Sequence, residues 1–195
     1  MDKGNILILN GVSSAGKTTL AKCLQEIAPD QYFLFSADLL NDISSQKGSR
    51  SYSLRFSADP VPVMSAFYGC VKAFSDRGLH TIVDTIFTTD ESFALSTFMD
   101  VFPDNDYPVS FVHVTCPVDE LRRREAERGD RKPGWGESLL PKLDPQDTYD
   151  LTVDTHRETI SACADAILAY MAKTEKPMAF HTLWTQRKNQ AKSLS

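Results

Sequence analysis

A glycine-rich segment near the start of the chain constrains the fold more than any other feature of the sequence. It has the pattern G-x-x-x-x-G-K-[ST], and its members are Gly11, Val12, Ser13, Ser14, Ala15, Gly16, Lys17 and Thr18. An apolar, β-branched run precedes it at residues 6–9, and apolar residues recur at helical spacing over 20–27. The order strand, glycine loop, helix is the context in which this pattern binds phosphate.

This segment, called the phosphate-binding loop below, predicts a binding site for a nucleoside triphosphate. Its backbone N–H groups and the start of the following helix would surround the phosphates. Lys17 would reach the β- and γ-phosphates, and the Thr18 hydroxyl would ligate Mg²⁺. The alternative is a glycine turn that happens to precede a helix.

The rest of the chain alternates between strand and helix patterns. Four more short apolar runs have the character of strands buried on both faces, at residues 32–35, 80–83, 109–114 and 149–153. Helical patterns run from about Pro62 to Phe74, from near Asp90, after Pro117, and from Thr155-His156-Arg157-Glu158, which matches a capping box. This alternation predicts an α/β fold with helices on both faces of a parallel sheet.

The chain has the length of one domain, which we place at residues 1–173. Residues 129–142 combine glycines and prolines with charges, and we expect an irregular lid there. Helical periodicity fades after Lys173. We therefore expect residues 174–195 to form a tail that docks in part, through Phe180, Leu183 and Trp184, and is frayed from Arg187 onward.

Charge and hydropathy exclude some classes of partner. The net charge of −5 argues against nucleic acid, which favours a basic face. No stretch approaches the roughly 20 apolar residues of a membrane span, and the apolar N-terminal run is too short for a signal peptide. We expect a cytoplasmic protein whose four separated cysteines are buried, reduced thiols. The sequence leaves the oligomeric state open.

Ligands of an open parallel sheet gather at the carboxyl ends of its strands, and two aspartates are predicted there. Asp38 follows the second strand, where a carboxylate can take the proton of an acceptor hydroxyl. The alternative for Asp38 is an N-cap of the next helix. Asp84 ends the third strand, where a carboxylate beside Thr18 can hold Mg²⁺.

Arginines near the predicted lid could supply positive charge to the transferring phosphoryl group. Arg124 and Arg128 share one helix face, and Arg131 follows at a Gly-Asp break. We predict phosphate contacts for Arg128 and Arg131. The alternative is a solvated helix with ion pairs such as Glu120–Arg124 at i, i+4.

At this point the sequence resembles the chloramphenicol phosphotransferase family of P-loop kinases. The segments that carry the resemblance, in chain order between about residues 4 and 172, are 8–11, 13–17, 38–40, 82–84, 124–131 and 149–155. The blocks R-E-x-x-R-G-D-R and Y-D-x-x-V-D-T are more specific than the phosphate-binding loop alone. Asp84-Thr85 stands where the antibiotic kinase of the family has two aspartates.

The resemblance implies ATP- and Mg²⁺-dependent phosphorylation of a small-molecule hydroxyl, on chloramphenicol or a similar compound. It also implies a three-layer α/β/α P-loop kinase fold with a five-stranded parallel sheet of order 2-3-1-4-5. Asp38 matches the proposed base of the family, and Arg128 and Arg131 match its lid arginines. A nucleoside, nucleotide or sugar kinase on the same fold and a nucleotide-binding regulator without catalysis are the alternatives.

Overall fold

The computed structural model of the chain describes residues 2–43, 61–87, 93–129, 134–143 and 149–193. The strands are β1 (Ile6–Asn10), β2 (Tyr32–Ser36), β3 (His80–Thr85), β4 (Val109–Thr115) and β5 (Leu151–Asp154). The helices of the described residues are α1 (Lys17–Ile27), α2 (Ala37–Ile43), α3 (Val61–Ser75), α4 (Phe93–Val101), α5 (Val118–Arg128), α6 (Trp135–Leu139), α7 (Ile160–Lys173) and α8 (Met178–Ser193). A 3-10 turn at Leu140–Lys142 follows α6.

The strands form one sheet in the order β2-β3-β1-β4-β5, and every neighbouring pair is parallel. This confirms the predicted order 2-3-1-4-5. The register pairs Asn10 with Thr85 on one side and with His113 on the other, and it pairs Ser36 with Asp84. The carboxyl ends of the strands therefore lie along one edge, where the phosphate-binding loop begins.

Helices cover both faces of the sheet, so that the molecule has three layers. Alternate residues of β1 point to opposite faces: Ile6 and Ile8 pack against α3, α4 and α8, while Leu7 and Leu9 pack against α1, α5 and α7. All four side chains are at most 1% exposed. Burial on both faces explains why the strands read as continuous apolar runs rather than as alternating ones.

The prediction of a capping box at Thr155 is wrong, because helix α7 begins later in the chain. Helix α7 starts at Ile160, and the Thr159 hydroxyl caps it by accepting the N–H of Ala162. The Thr155 hydroxyl is used elsewhere, since it donates to the Ala15 carbonyl at 2.7 Å. The capping threonine thus lies four residues later than predicted.

The chain after Lys173 forms helix α8, which packs on the sheet beside β4. The Asp150 carboxylate accepts the N–H groups of Met178 and Ala179 at the start of this helix. Phe180 is fully buried. At Arg187, where the sequence predicts a frayed end, the chain is helical and the guanidinium donates two hydrogen bonds to Asp100.

Two further expectations concern the cysteines and the membrane. All four cysteines are free, and Cys116 and Cys163 are buried, which raises the pKa of both thiols. The expectation of burial is wrong for Cys70, which is exposed because Phe67, Tyr68 and the rest of the apolar stripe of α3 face the other way. Within the residues described above, no helix combines the length and apolar character needed to cross a membrane.

Candidate active site

The phosphate-binding loop runs from the end of β1 to the start of α1, as the sequence predicts. Gly11 lies so close to β4 that a Cβ there would be 2.2 Å from the Val114 carbonyl oxygen. Gly16 has φ 92°, a left-handed conformation that favours glycine. Ser14 also has a positive φ, 65°, which is uncommon for a residue with a side chain. The loop conformation therefore suits glycine at position 16 but is disfavoured for the serine at position 14.

Three predicted site residues come together beneath this loop. The Lys17 ammonium donates to the Val12 carbonyl at 3.0 Å and lies 3.6 Å from an oxygen of Asp84. The Thr18 hydroxyl donates to the other oxygen of Asp84 at 2.5 Å. The side chains of Lys17 and Asp84 are each 9% exposed. Since Leu9 and Asp84 are paired across β1 and β3, the sheet itself places the carboxylate under α1.

The oxygens of Thr18 and Asp84 fit a magnesium ion that is completed by phosphate and water. Mg²⁺ is usually held by one or two protein oxygens together with the phosphates of the substrate. The two side chains are adjacent, and both supply hard oxygen ligands. Within the described part of the chain there is no group of three or more His, Cys, Asp or Glu that could form an all-protein cage. The chemistry of this donor set suits magnesium nucleotide.

The interior of the loop also holds a polar atom that fits an anion. The Ser14 hydroxyl oxygen is buried and has no hydrogen-bond partner within the described residues. Buried polar groups are nearly always paired in folded proteins, so an unpaired hydroxyl in a phosphate-binding loop fits a phosphate oxygen as its partner.

Asp38 lies in the first turn of α2, directly after β2. The hydroxyl of Ser36 accepts the N–H of Asp38 at 3.1 Å, so Ser36 performs the capping role that was the alternative for Asp38. The Asp38 side chain is exposed, and its carboxylate has no partner among the described residues. Because Ser36 pairs with Asp84 across the sheet, Asp38 begins its helix next to the strand that carries the proposed metal ligand. Its role as a base stays a prediction.

One of the two arginines predicted to contact phosphate lies within the described residues, and the other lies beyond them. Arg128 is the last residue of α5 and is exposed, and Gly129 ends the helix with φ 65°. Arg131 lies outside the described residues. The alternative reading of this helix holds for Arg124, whose Nε donates to Glu120 at 2.8 Å.

Sequence reasoning missed Glu125, which joins α5 to α6. Its carboxylate is 3% exposed and accepts the N–H groups of Gly134 at 2.9 Å and Gly136 at 2.6 Å. A Cβ on Gly136 would be 2.7 Å from the Ser13 carbonyl oxygen, so α6 lies directly against the phosphate-binding loop. The described part of the segment predicted as a lid is thus anchored to α5 through a buried carboxylate.

A second set of side-chain contacts, which the sequence did not predict, links the end of β1 to the residues after β3 and before β5. The side-chain oxygen Oδ1 of Asn10 accepts the N–H of Phe87 at 2.8 Å, and the side-chain nitrogen Nδ2 of Asn10 donates to the Tyr149 hydroxyl at 2.6 Å. The Tyr149 ring stacks on His113 with centroids 4.7 Å apart. Burial lowers the pKa of His113, so the stacked imidazole is neutral at pH 7. These contacts hold the residues after β3 against the edge where the loop begins.

Comparison with known proteins agrees with this geometry. The sequence model of the family described as "Chloramphenicol phosphotransferase-like protein" matches residues 4–172. A Mycobacterium tuberculosis protein named "Putative O-phosphotransferase" is 28% identical over 204 residues, which cover 94% of this chain and 89% of that protein.

Kinases of adenylyl sulfate are similar too. The adenylyl-sulfate kinase of Clostridium acetobutylicum is 24% identical over 180 residues, covering 87% of this chain and 84% of that protein. The solved structure of the Mycobacterium tuberculosis APS kinase CysC in complex with AMPPNP and APS has a TM-score of 0.63 at 17% identity, covering 89% of this chain and all of that chain. The fold is therefore that of the P-loop kinases.

Proposed function

Because the chain belongs to the chloramphenicol phosphotransferase-like family, we propose that it transfers the γ-phosphoryl group of ATP to a hydroxyl of a small neutral molecule, chloramphenicol or a similar compound. That it is a phosphotransferase enzyme follows from the family and from its kinase relatives. The acceptor, the metal and the residue roles are the proposal. The observation that carries it is the buried pair of Lys17 and Asp84 at the phosphate-binding loop, with the Thr18 hydroxyl bonded to the same carboxylate.

The loop and Lys17 bind and orient the triphosphate. Backbone N–H groups of the phosphate-binding loop surround the phosphates, and the Lys17 ammonium leaves its contact with the Val12 carbonyl for the β- and γ-phosphate oxygens. Thr18 and Asp84 would hold Mg²⁺, which would supply positive charge to offset that of the phosphates. Arg128 and Arg131 contribute further positive charge to the transferring group.

Asp38 serves as the base in this proposal. Its exposed carboxylate accepts the proton of the acceptor hydroxyl while the hydroxyl oxygen forms a bond to the γ-phosphorus. The bond between that phosphorus and the β–γ bridging oxygen breaks, and ADP leaves with the electron pair. An exposed carboxylate with no partner in the described residues is available for this proton, which supports the assignment.

A nucleotide acceptor is the second candidate. It is favoured by the adenylyl-sulfate kinase of Clostridium acetobutylicum, which matches this chain along 87% of its length. Both candidates place a hydroxyl next to the γ-phosphate, and they differ in the charge of the acceptor. Incubation with Mg-ATP and either chloramphenicol or adenylyl sulfate, followed by mass spectrometry, separates them, since only a true acceptor gains one HPO₃ unit.

The test of the base uses Asp38→Asn with Asp42→Asn as its control. Both aspartates are exposed on α2, but only Asp38 lies in its first turn. We expect Asp38→Asn to lower kcat by roughly 10²- to 10⁴-fold, the range for a positioned base, with little change in ATP affinity. Asp42→Asn should keep full activity. Full activity of Asp38→Asn would reject the assignment.

We also propose that the enzyme works in the cytoplasm. ATP is available there, and four free cysteines suit a reducing compartment.

A further inference from the structure

We propose that Thr155 and Arg124 are positioning residues that set the shape of the phosphate-binding loop. The inference rests on the proposed function, since the loop is taken to bind the triphosphate. In this proposal Arg124 stabilises the loop through hydrogen bonds to protein atoms and does not contact the phosphate directly. Neither residue belongs to the loop itself, because Arg124 lies in α5 and Thr155 follows β5.

The Thr155 hydroxyl joins the loop to the end of the sheet. It donates to the Ala15 carbonyl at 2.7 Å and accepts an N–H of Arg124 at 2.9 Å. The backbone N–H of Thr155 donates to the Thr115 carbonyl at 3.1 Å, which ties this residue to the end of β4. Thr155 is 6% exposed, so these bonds are protected from water. The position of Ala15 is thereby set by two strands that are not adjacent to it in sequence.

The same threonine also packs against the glycine that ends the loop. A Cβ on Gly16 would lie 3.2–3.4 Å from the Thr155 hydroxyl and its neighbouring carbons. Gly16 and Ser14 both have positive φ, and such a conformation persists in Ser14 only when the surroundings impose it. Arg124 supplies one such constraint, since it donates to the Ser14 carbonyl at 3.3 Å.

The N–H donors of Arg124 are mostly used by acceptors within the protein, which indicates a structural role rather than direct contact with phosphate. A guanidinium has five N–H donors. Four are engaged, by Glu120, the Ser14 carbonyl, the Thr155 hydroxyl and the Thr155 carbonyl. A phosphate ligand of the bidentate kind needs two donors on one edge of the fork, and this arginine has one left. The contacts of Arg124 therefore join α5 to the phosphate-binding loop and to Thr155.

The experiment compares Thr155→Val with Thr155→Ser in the full-length protein. Valine keeps the shape of the side chain but loses the hydroxyl, whereas serine keeps the hydroxyl. Thr152→Val is the control, because it makes the same change at an exposed position of β5. Calorimetry with Mg-ATP and hydrogen exchange of the backbone amides of residues 15–18 are the two readouts.

We expect Thr155→Val to raise the Kd for Mg-ATP roughly tenfold, about the loss of one net hydrogen bond in a buried site. We also expect faster exchange of the loop amides in the nucleotide-free protein, with unchanged exchange in β1. Thr155→Ser should restore both values to within about threefold, and Thr152→Val should resemble the wild type. Equal loss in the valine and serine variants, or loop exchange that stays at the wild-type rate in Thr155→Val, would overturn the inference.

A variant of Arg124 separates positioning from direct phosphate contact. If Arg124 holds the loop, Arg124→Gln should speed exchange of the loop amides in the nucleotide-free protein, as Thr155→Val does. Weaker binding of Mg-ATP with loop exchange at the wild-type rate would show that Arg124 contacts the nucleotide and would overturn its assigned role. The loop exchange needs no transfer reaction. A wild-type protein that phosphorylates no acceptor would therefore refute the proposed function and leave the comparison of Thr155 variants valid.

Discussion

Replacement of Asp84 by asparagine tests the buried charge cluster under the phosphate-binding loop. The Lys17 ammonium and the Asp84 carboxylate are 3.6 Å apart, and each side chain is 9% exposed. At an effective dielectric constant of about 20, two unit charges at that separation attract by roughly 5 kcal/mol. Asparagine keeps an acceptor for the Thr18 hydroxyl but removes the negative charge that lies beside the buried Lys17 ammonium.

Loss of one partner from a buried ion pair costs about 3–5 kcal/mol, because the remaining charge is uncompensated. For a domain of this size each kcal/mol corresponds to about 2–4 °C, so the Tm of the nucleotide-free protein should fall by roughly 6–20 °C. Urea unfolding followed by circular dichroism gives the change in free energy, and a thermal scan gives the change in Tm. The double variant Lys17→Met/Asp84→Asn, which removes both charges, should regain part of the loss.

Asp119→Asn is the matched control. Asp119 is 3.5 Å from Arg122, almost the same separation, but its side chain is 96% exposed. An exposed pair contributes about 0–1 kcal/mol, so the control should be nearly neutral. Equal destabilisation by the two substitutions would refute the reasoning that burial makes the Lys17–Asp84 pair strong. A double variant less stable than Asp84→Asn would refute it as well.

Two other substitutions test the anchors around the site. Glu125→Gln should lower the free energy of unfolding in urea by about 1.5–3 kcal/mol, because an amide cannot replace both carboxylate oxygens that accept the N–H groups of Gly134 and Gly136. The control Glu127→Gln, at an exposed position of α5, should lower it by less than about 0.5 kcal/mol. Equal values for the two variants would contradict the anchoring role of Glu125. Phe180→Ala should cost about 3–5 kcal/mol by the same assay, since the ring is fully buried against Phe98 and Phe102, and a change below 1 kcal/mol would mean that α8 is not part of the core.

The fold could be predicted because its signals are local. The apolar runs at β1 and β3 and the glycine pattern between β1 and α1 each lie within a few residues of the chain. A parallel sheet with helices on both faces buries its strands completely, which makes such runs easy to recognise. Lys17, Thr18 and Asp84 could be assigned together for the same reason, since strand ends of a parallel sheet converge.

The supports of the site could not be predicted, because they join residues that are far apart in sequence. Thr155 bonds to Ala15 across 140 positions. Its hydroxyl can cap a helix or brace a loop, and local sequence favours the cap, which is why the capping box was wrong. Asp150 meets the start of α8 across 28 positions, and no periodicity in the tail indicates that contact.

The arginine-rich stretch of α5 shows the same limit. Sequence spacing places Arg124 and Arg128 on one helix face, which does not distinguish a phosphate ligand from a structural contact. The distinction comes from the carbonyls of Ser14 and Thr155, which occupy the donors of Arg124. Glu125 was passed over because a glutamate in a charged helix is ordinarily solvated, whereas here two glycine N–H groups surround it.

Transfer of label from γ-labelled ATP tests the central claim most directly. The protein is incubated with Mg²⁺, labelled ATP and chloramphenicol, with adenylyl sulfate and a panel of small alcohols in parallel reactions. We expect label to appear covalently on a hydroxyl of a small acceptor, in an amount equal to the ADP formed. No labelled product on any acceptor, with ATP left intact or converted only to ADP and free phosphate, would contradict the account.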